Sequence, residues 1–100
     1  MGIDVESGSF VWNKEKERQN QQAHGLDFVT ASEAFFDPDR MVAADETHSQ
    51  KEKRFFCIGK AGHKIATVRF TYRGEQIRII GAGFWRKGRK FYEEKNKKNK

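Results

Sequence analysis

The stretch from Lys64 to Ile80 constrains the fold more than any other, because its side chains alternate with a strand period on both sides of a turn. Over Lys64–Tyr72, Ala66, Val68, Phe70 and Tyr72 fall on one side, and Ile65, Thr67, Arg69 and Thr71 on the other. Over Glu75–Ile80, Ile77 and Ile79 oppose Gln76, Arg78 and Ile80. Arg73-Gly74 reads as the hairpin loop between them. A two-residue loop there pairs Tyr72 with Glu75, Phe70 with Ile77 and Val68 with Ile79, gathering apolar partners on one face. It also sets Arg69 opposite Arg78 on the other face. Like charges directly opposite one another destabilise a strand pair by roughly 0.2–1 kcal/mol. The functional reading is that the two guanidinium groups flank a phosphate, which their bidentate geometry suits. The competing reading is that acidic residues from the N-terminal half neutralise them.

The remaining segments predict an α+β domain. Phe10-Val11-Trp12 is a short strand or an anchor on the core. Asn13 is a good N-cap, Glu15 and Glu17 suit a first turn, and Gly25 supplies the stop, so a helix is expected over Lys14–His24. From Asn13 to Gln22 that helix has no apolar residue, so an ordinary apolar stripe cannot pack it. Thr30-Ala31-Ser32-Glu33 has the form of a capping box and predicts a second helix at Ala31–Phe36, ended by Asp37-Pro38. Met41–Ala44 and Arg54–Gly59 are further strand candidates. The tail from Phe84 to about Glu94 reads as a helix, weakened by about 1 kcal/mol at Gly88. The domain is expected over residues 10–94, between a flexible N-terminus (1–9) and a basic disordered tail (95–100).

One hundred residues leave no room for a second sizeable core. Charge is divided along the chain. Residues 1–50 carry four basic and ten acidic side chains, a balance of −6, and residues 51–100 carry sixteen and four, a balance of +12. A basic half suits a phosphate backbone, since each neutralised phosphate releases condensed counterions. Lys53, Arg69, Arg73 and the Arg86, Lys87, Arg89, Lys90 cluster are the candidate nucleic-acid contacts. Charge alone does not choose RNA over DNA, but no helix-turn-helix pattern or zinc-finger spacing supports a DNA reader. The single cysteine, Cys57, excludes an internal disulfide and reads as a buried small hydrophobe. With no membrane-length apolar run and no signal-peptide pattern, the expectation is a cytoplasmic protein.

Candidate proton-transfer groups are His24, His48, His63 and Tyr92. His24 at a helix end has capping as its plain role, and His63 reads as an exposed turn residue. His48, in the polar loop before Lys51-Glu52-Lys53-Arg54, is placed best. Trp85 and Tyr92 are candidates to stack bases, although aromatics at helical spacing usually belong to a core. The histidines and the cysteine have no metal-ligand spacing, so no metal or cofactor is expected.

Taken in order, the segments resemble the BrnT family of ribonuclease toxins from Phe10 to about Glu93. The matching stretches are Phe10-Val11-Trp12 with Lys16 and Asn20, His24-Gly25-Leu26-Asp27-Phe28, and Phe35-Phe36-Asp37-Pro38. After these come Asp45, His48-Ser49, Glu52 and Arg54, then Thr71-Tyr72-Arg73-Gly74, Ile77-Arg78-Ile79-Ile80 and Arg89-Lys90-Phe91-Tyr92. The resemblance implies a RelE-like fold of two N-terminal helices, an antiparallel sheet of about four strands and a C-terminal helix. It implies a toxin of a type II toxin–antitoxin system: a metal-independent endoribonuclease that blocks translation. The implied partners are RNA, a BrnA-like ribbon-helix-helix antitoxin, and operator DNA reached only through the antitoxin complex. Carried onto this chain, the catalytic candidates are His48, Arg54, Arg73, Arg78 and Tyr92. RNA cleavage through the 2′-OH needs a base, a proton for the leaving oxygen and cations around the developing charge, which these side chains supply. The chain departs from the family at Gly81 and Gly83, which stand where a serine and an arginine are usual. Ala23, Asn13 and Gly88 also replace a usual lysine, aspartate and glutamate. The alternative is an attenuated homologue that binds its antitoxin or RNA without cutting.

Overall fold

A computed structural model of the protein describes residues 3–48 and 51–98. The chain runs β1 (Asp4–Ser7), β2 (Phe10–Asn13), α1 (Lys14–His24) and α2 (Phe28–Ser32), which passes into a 3-10 turn at Glu33–Phe36. Then come β3 (Met41–Ala44), a 3-10 turn at Glu46–His48, β4 (Phe55–Ala61), β5 (Lys64–Arg73), β6 (Gln76–Gly83) and α3 (Arg86–Lys98). The strands form one sheet in the order β1-β2-β6-β5-β4-β3. β2 and β6 run parallel, and every other neighbouring pair is antiparallel.

The α+β class holds, but the sheet is six-stranded and mixed rather than four-stranded and antiparallel. The strand missing from the expectation is β1, within the segment expected to fray. Only Val5 is half-buried there, opposite Trp12, so no apolar pattern announces it. Its Asp4 and Glu6 are the charged side chains that suit a sheet edge.

α1 has the predicted bounds. Asn13 accepts from the Lys16 N–H at 2.9 Å and Gly25 closes the far end. No residue of α1 is buried, and polar side chains fix it instead. Glu17 accepts from the Trp12 indole N–H at 3.1 Å and the Phe28 N–H at 2.9 Å. One turn later, Asn20 donates to the carbonyls of Leu26 and Ala82, each at 2.9 Å, and accepts from the Ala82 N–H at 3.1 Å. β2 pairs with β6 at Ile77 and Arg78, so at Ala82 the Asn20 carboxamide stands in for an absent strand.

The second helix starts earlier than the capping box predicts. Asp27 wins the cap, accepting from the Thr30 N–H at 3.0 Å and the Thr30 hydroxyl at 2.7 Å, so helical turns begin at Phe28. Phe28, Ala31 and Ala34 are thereby buried against Trp12, Cys57, Val68, Phe70 and Ile79 on one face of the sheet. Burial pushes the Cys57 thiol up to about 12, so it is an inert core group, as expected.

The hairpin register differs from the predicted one. Arg73 pairs with Gln76, which makes Gly74-Glu75 the loop, with Gly74 at φ +60° in the position where a type II′ turn needs glycine. The pairs are then Tyr72 with Ile77 and Phe70 with Ile79, and a bulge at Ile80 brings Val68 to Ala82. Apolar partners still share one face, because a slip of two residues preserves alternation. Arg69 therefore lies opposite Gly81, not Arg78, while Arg78 lies opposite Thr71. Both arginines remain on the outer face, as diagonal neighbours.

α3 lies across one end of that outer face and runs further than predicted, to Lys98, through most of the expected tail. Gly88 permits this approach, since a Cβ there would overlap the Thr67 hydroxyl and come to 3.7 Å from Ile58 Cδ1. Asn99-Lys100 lie outside the described residues, as do Met1-Gly2.

Candidate nucleic-acid interface

The outer face is built by alternation. In β5, Val68 and Phe70 point to the core, which turns Thr67, Arg69 and Thr71 outward. In β6, Ile79 and Ala82 point inward and Arg78, Gly81 and Gly83 outward. In β4, Phe56 and Ile58 pair with Arg69 and Thr67 and share their face. Arg54 precedes β4 next to Thr71, whose hydroxyl donates to the Lys53 carbonyl at 2.6 Å. Arg54, Arg69 and Arg78 thus converge around Thr71, with Arg73 at the end of β5.

Their electrostatics differ. Arg78, with its side chain 15% exposed, holds Asp4 in a two-pronged pair at 3.1 and 3.2 Å. The Arg78 hydrogen bond holds the Asp4 carboxyl below its usual range, with Arg73 contributing charge. Arg54 pairs with Glu52 at 3.8 Å. Arg69 has neither kind of partner. Among the described residues it makes no ion pair, and its Nε is buried without a hydrogen-bond acceptor. Its guanidinium lies over Gly81, 3.3 Å from where a Cβ would stand, with the Asn20 carboxamide beyond. The two arginines read together from the sequence therefore separate: a carboxylate neutralises Arg78, and Arg69 keeps an unused donor.

Gly81 and Gly83 are buried and put no side chains on the outer face of β6, a trough in the strand that the Arg69 guanidinium and the Trp85 indole fill. The Trp85 indole lies on Gly83, and the His24 ring at the end of α1 meets it at 5.1 Å between centroids. Beyond Phe56, a groove of about 680 Å³ opens between α3 and the sheet, lined by Met41, Ala43, Ile58, Thr67, Trp85 and Phe91 among others.

Other predicted residues lie apart from the trough. Tyr92 is buried, and its hydroxyl donates to Asp37 Oδ2 at 2.7 Å. Burial and that hydrogen bond push the Tyr92 pKa far up, which makes it a poor proton donor or acceptor. Arg86, Lys87, Arg89 and Lys90 line a basic face of α3 with Glu93. Lys53 is exposed beside Arg54, and His63 sits in the β4–β5 turn. His48 ends a 3-10 turn, but its side chain and Ser49 lie outside the described residues. Of the trough residues, Trp85 was a predicted base-stacking candidate, whereas Asn20, Gly81 and Gly83 were not among the predicted catalytic or contact residues. The available signal was the Gly-x-Gly spacing inside a strand, which marks a close approach.

No described helix is long and apolar enough to cross a membrane. No curated protein matches the chain. The family model of ribonuclease toxins called BrnT, of type II toxin–antitoxin systems, matches residues 12–88. That span runs from the Trp12 anchor through the trough to the Gly88 contact, and the chain belongs to the BrnT family of type II ribonuclease toxins.

Proposed function

We propose that the protein is a metal-independent endoribonuclease that stops translation by cutting RNA, with Arg69 holding the scissile phosphate. The observation that carries this reading is the unpartnered Arg69 Nε over the Gly81 trough. A buried donor without an acceptor costs about 1–3 kcal/mol, and a phosphate oxygen relieves it. Arg54, Arg73 and Arg78 surround that position and stabilise charge on the phosphorane, Arg78 once Asp4 is displaced or shared. Proton transfer falls to a histidine: His24, which flanks the trough beside Trp85, with His48 as the competitor. Lys53 and the basic face of α3 steer the RNA. A BrnA-like ribbon-helix-helix antitoxin neutralises the toxin, and operator DNA is met only through that complex.

A second reading, a binding module with little cleavage, is favoured by the bond that occupies Tyr92 and by the missing side chains at Gly81 and Gly83. The test is incubation of the purified protein with single-stranded RNA in EDTA. The proposal expects cleavage that EDTA does not abolish, and growth arrest on expression that the neighbouring antitoxin gene relieves. Intact RNA at high protein concentration, with tight RNA or antitoxin binding, supports the second reading.

A further inference from the structure

Trp85 stands where the arginine trough meets the apolar groove. Its indole sits so closely on Gly83 that a Cβ there would come within 2.6 Å of Cε2 and 2.7 Å of Cζ2. His24, from the far side of the fold in sequence, meets the same ring at an interplanar angle of 74°. Trp85 is nevertheless 37% exposed, whereas Trp12, the other tryptophan, is 1% exposed. Gly81, under the Arg69 guanidinium, and Gly83, under the indole, are two strand residues apart, about 7 Å. One nucleotide of extended single strand spans that distance from phosphate to neighbouring base.

We propose that Trp85 is a nucleobase platform: with an RNA phosphate on Arg69, the adjoining base stacks on the indole and enters the groove towards Phe56 and Phe91. This rests on the reading of Arg69 as the phosphate site. Stacking accepts every base, but not equally, because stacking strength differs among bases. The groove wall adds shape, and Lys87 on its rim adds a cation for the chain that follows. Glycine at 83 is what gives the platform its seat, since a side chain there and the indole exclude one another. The space over Gly83 belongs to an aromatic ring, a surface that meets a base rather than the backbone.

The test is equilibrium binding of four single-stranded homohexamers of 2′-O-methyl RNA, which the 2′-OH route cannot cleave, followed by tryptophan fluorescence. The four are expected to bind unequally, with quenching of the exposed indole. Trp85→Leu is expected to lose about tenfold for the preferred oligomer and to level the four. Trp85→Phe keeps the order, and Gly83→Ala, which pushes the indole off its seat, reproduces the loss without deleting the ring. Arg69→Ala weakens all four while keeping their order. If Trp85→Leu and Gly83→Ala, melting like the wild type, leave affinities and order unchanged while Arg69→Ala still weakens binding, the platform is overturned and the phosphate site stands. If the wild type binds none of the four, both are overturned. If those two variants weaken only the antitoxin complex, Trp85 belongs to a protein interface and the platform is again overturned.

Discussion

Asn20 and Ala82 are joined by a two-way hydrogen bond, the carboxamide accepting from the Ala82 N–H at 3.1 Å and donating to its carbonyl at 2.9 Å. A side chain from α1 thereby completes the edge of β6 and holds the trough beside Arg69. Asn20→Ala leaves three half-buried backbone groups without this partner and is expected to lower unfolding free energy by about 2–3 kcal/mol. Urea denaturation measures it. An unchanged midpoint would show that water replaces the carboxamide without loss.

Asp37 and Tyr92 predict the pH dependence of stability. Burial raises the Asp37 carboxyl, but bonds from the Tyr92 hydroxyl and the N–H groups of Lys60 and Asp39 outweigh it, leaving the pKa lowered. A carboxyl depressed on folding contributes stability that is present above its unfolded value of about 4 and is lost as pH falls through the folded one. Tyr92 is raised by burial and by Asp37, so its contribution is present below about pH 10 and is lost as pH climbs beyond. Thermal melts across pH are expected to show Asp37→Asn flattening the acid limb and Tyr92→Phe the alkaline limb. Unaltered limbs in both variants would contradict the assignment.

The contact between Gly88 and Thr67 opposes ordinary helix propensity. Gly88→Ala gains about 1 kcal/mol of intrinsic preference, but its Cβ overlaps the Thr67 hydroxyl. The net expectation is destabilisation by about 1–3 kcal/mol. Thr67→Ala in the same chain should recover most of it, as a double-mutant cycle by chemical denaturation reports. Additive effects would mean that α3 does not approach β5 this closely.

Asp4 sets how much positive charge the trough presents. Asp4→Asn frees Arg78 and removes a carboxylate from beside Arg73. RNA affinity should rise, and the salt dependence should steepen by up to about 0.7 in log–log slope if one more phosphate is contacted. No change in either quantity would place the RNA path away from Arg78.

Much of the fold was legible because its signals are local. The ends of α1 follow from Asn13 and Gly25, and the arginine face follows from alternation along Lys64–Tyr72. What could not be read depends on partners distant in sequence. Period-two alternation is blind to a slip of two residues, and nothing nearby announces the extra residue at Ile80. β1 carries one half-buried apolar side chain, so its place in the sheet is set by its pairing with β2. Grouping Arg69 with Arg78 was sound as a statement about faces, but the Asp4–Arg78 pair needs a strand that was not foreseen. Tyr92 reads from the sequence as either a proton-transfer or stacking group or a core aromatic, and only the fold brings Asp37 to it.

If Arg69 meets the scissile phosphate, its removal must show in single-turnover cleavage of a single-stranded RNA in EDTA. Removing one charge-stabilising donor from a preorganised site costs about a hundred- to a thousandfold in rate. Arg69→Ala, melting like the wild type, is expected to lose at least about a hundredfold. Arg69→Lys should recover only part, because an ammonium lacks the planar fork. Cleavage by Arg69→Ala at the wild-type rate would mean that the scissile phosphate binds elsewhere.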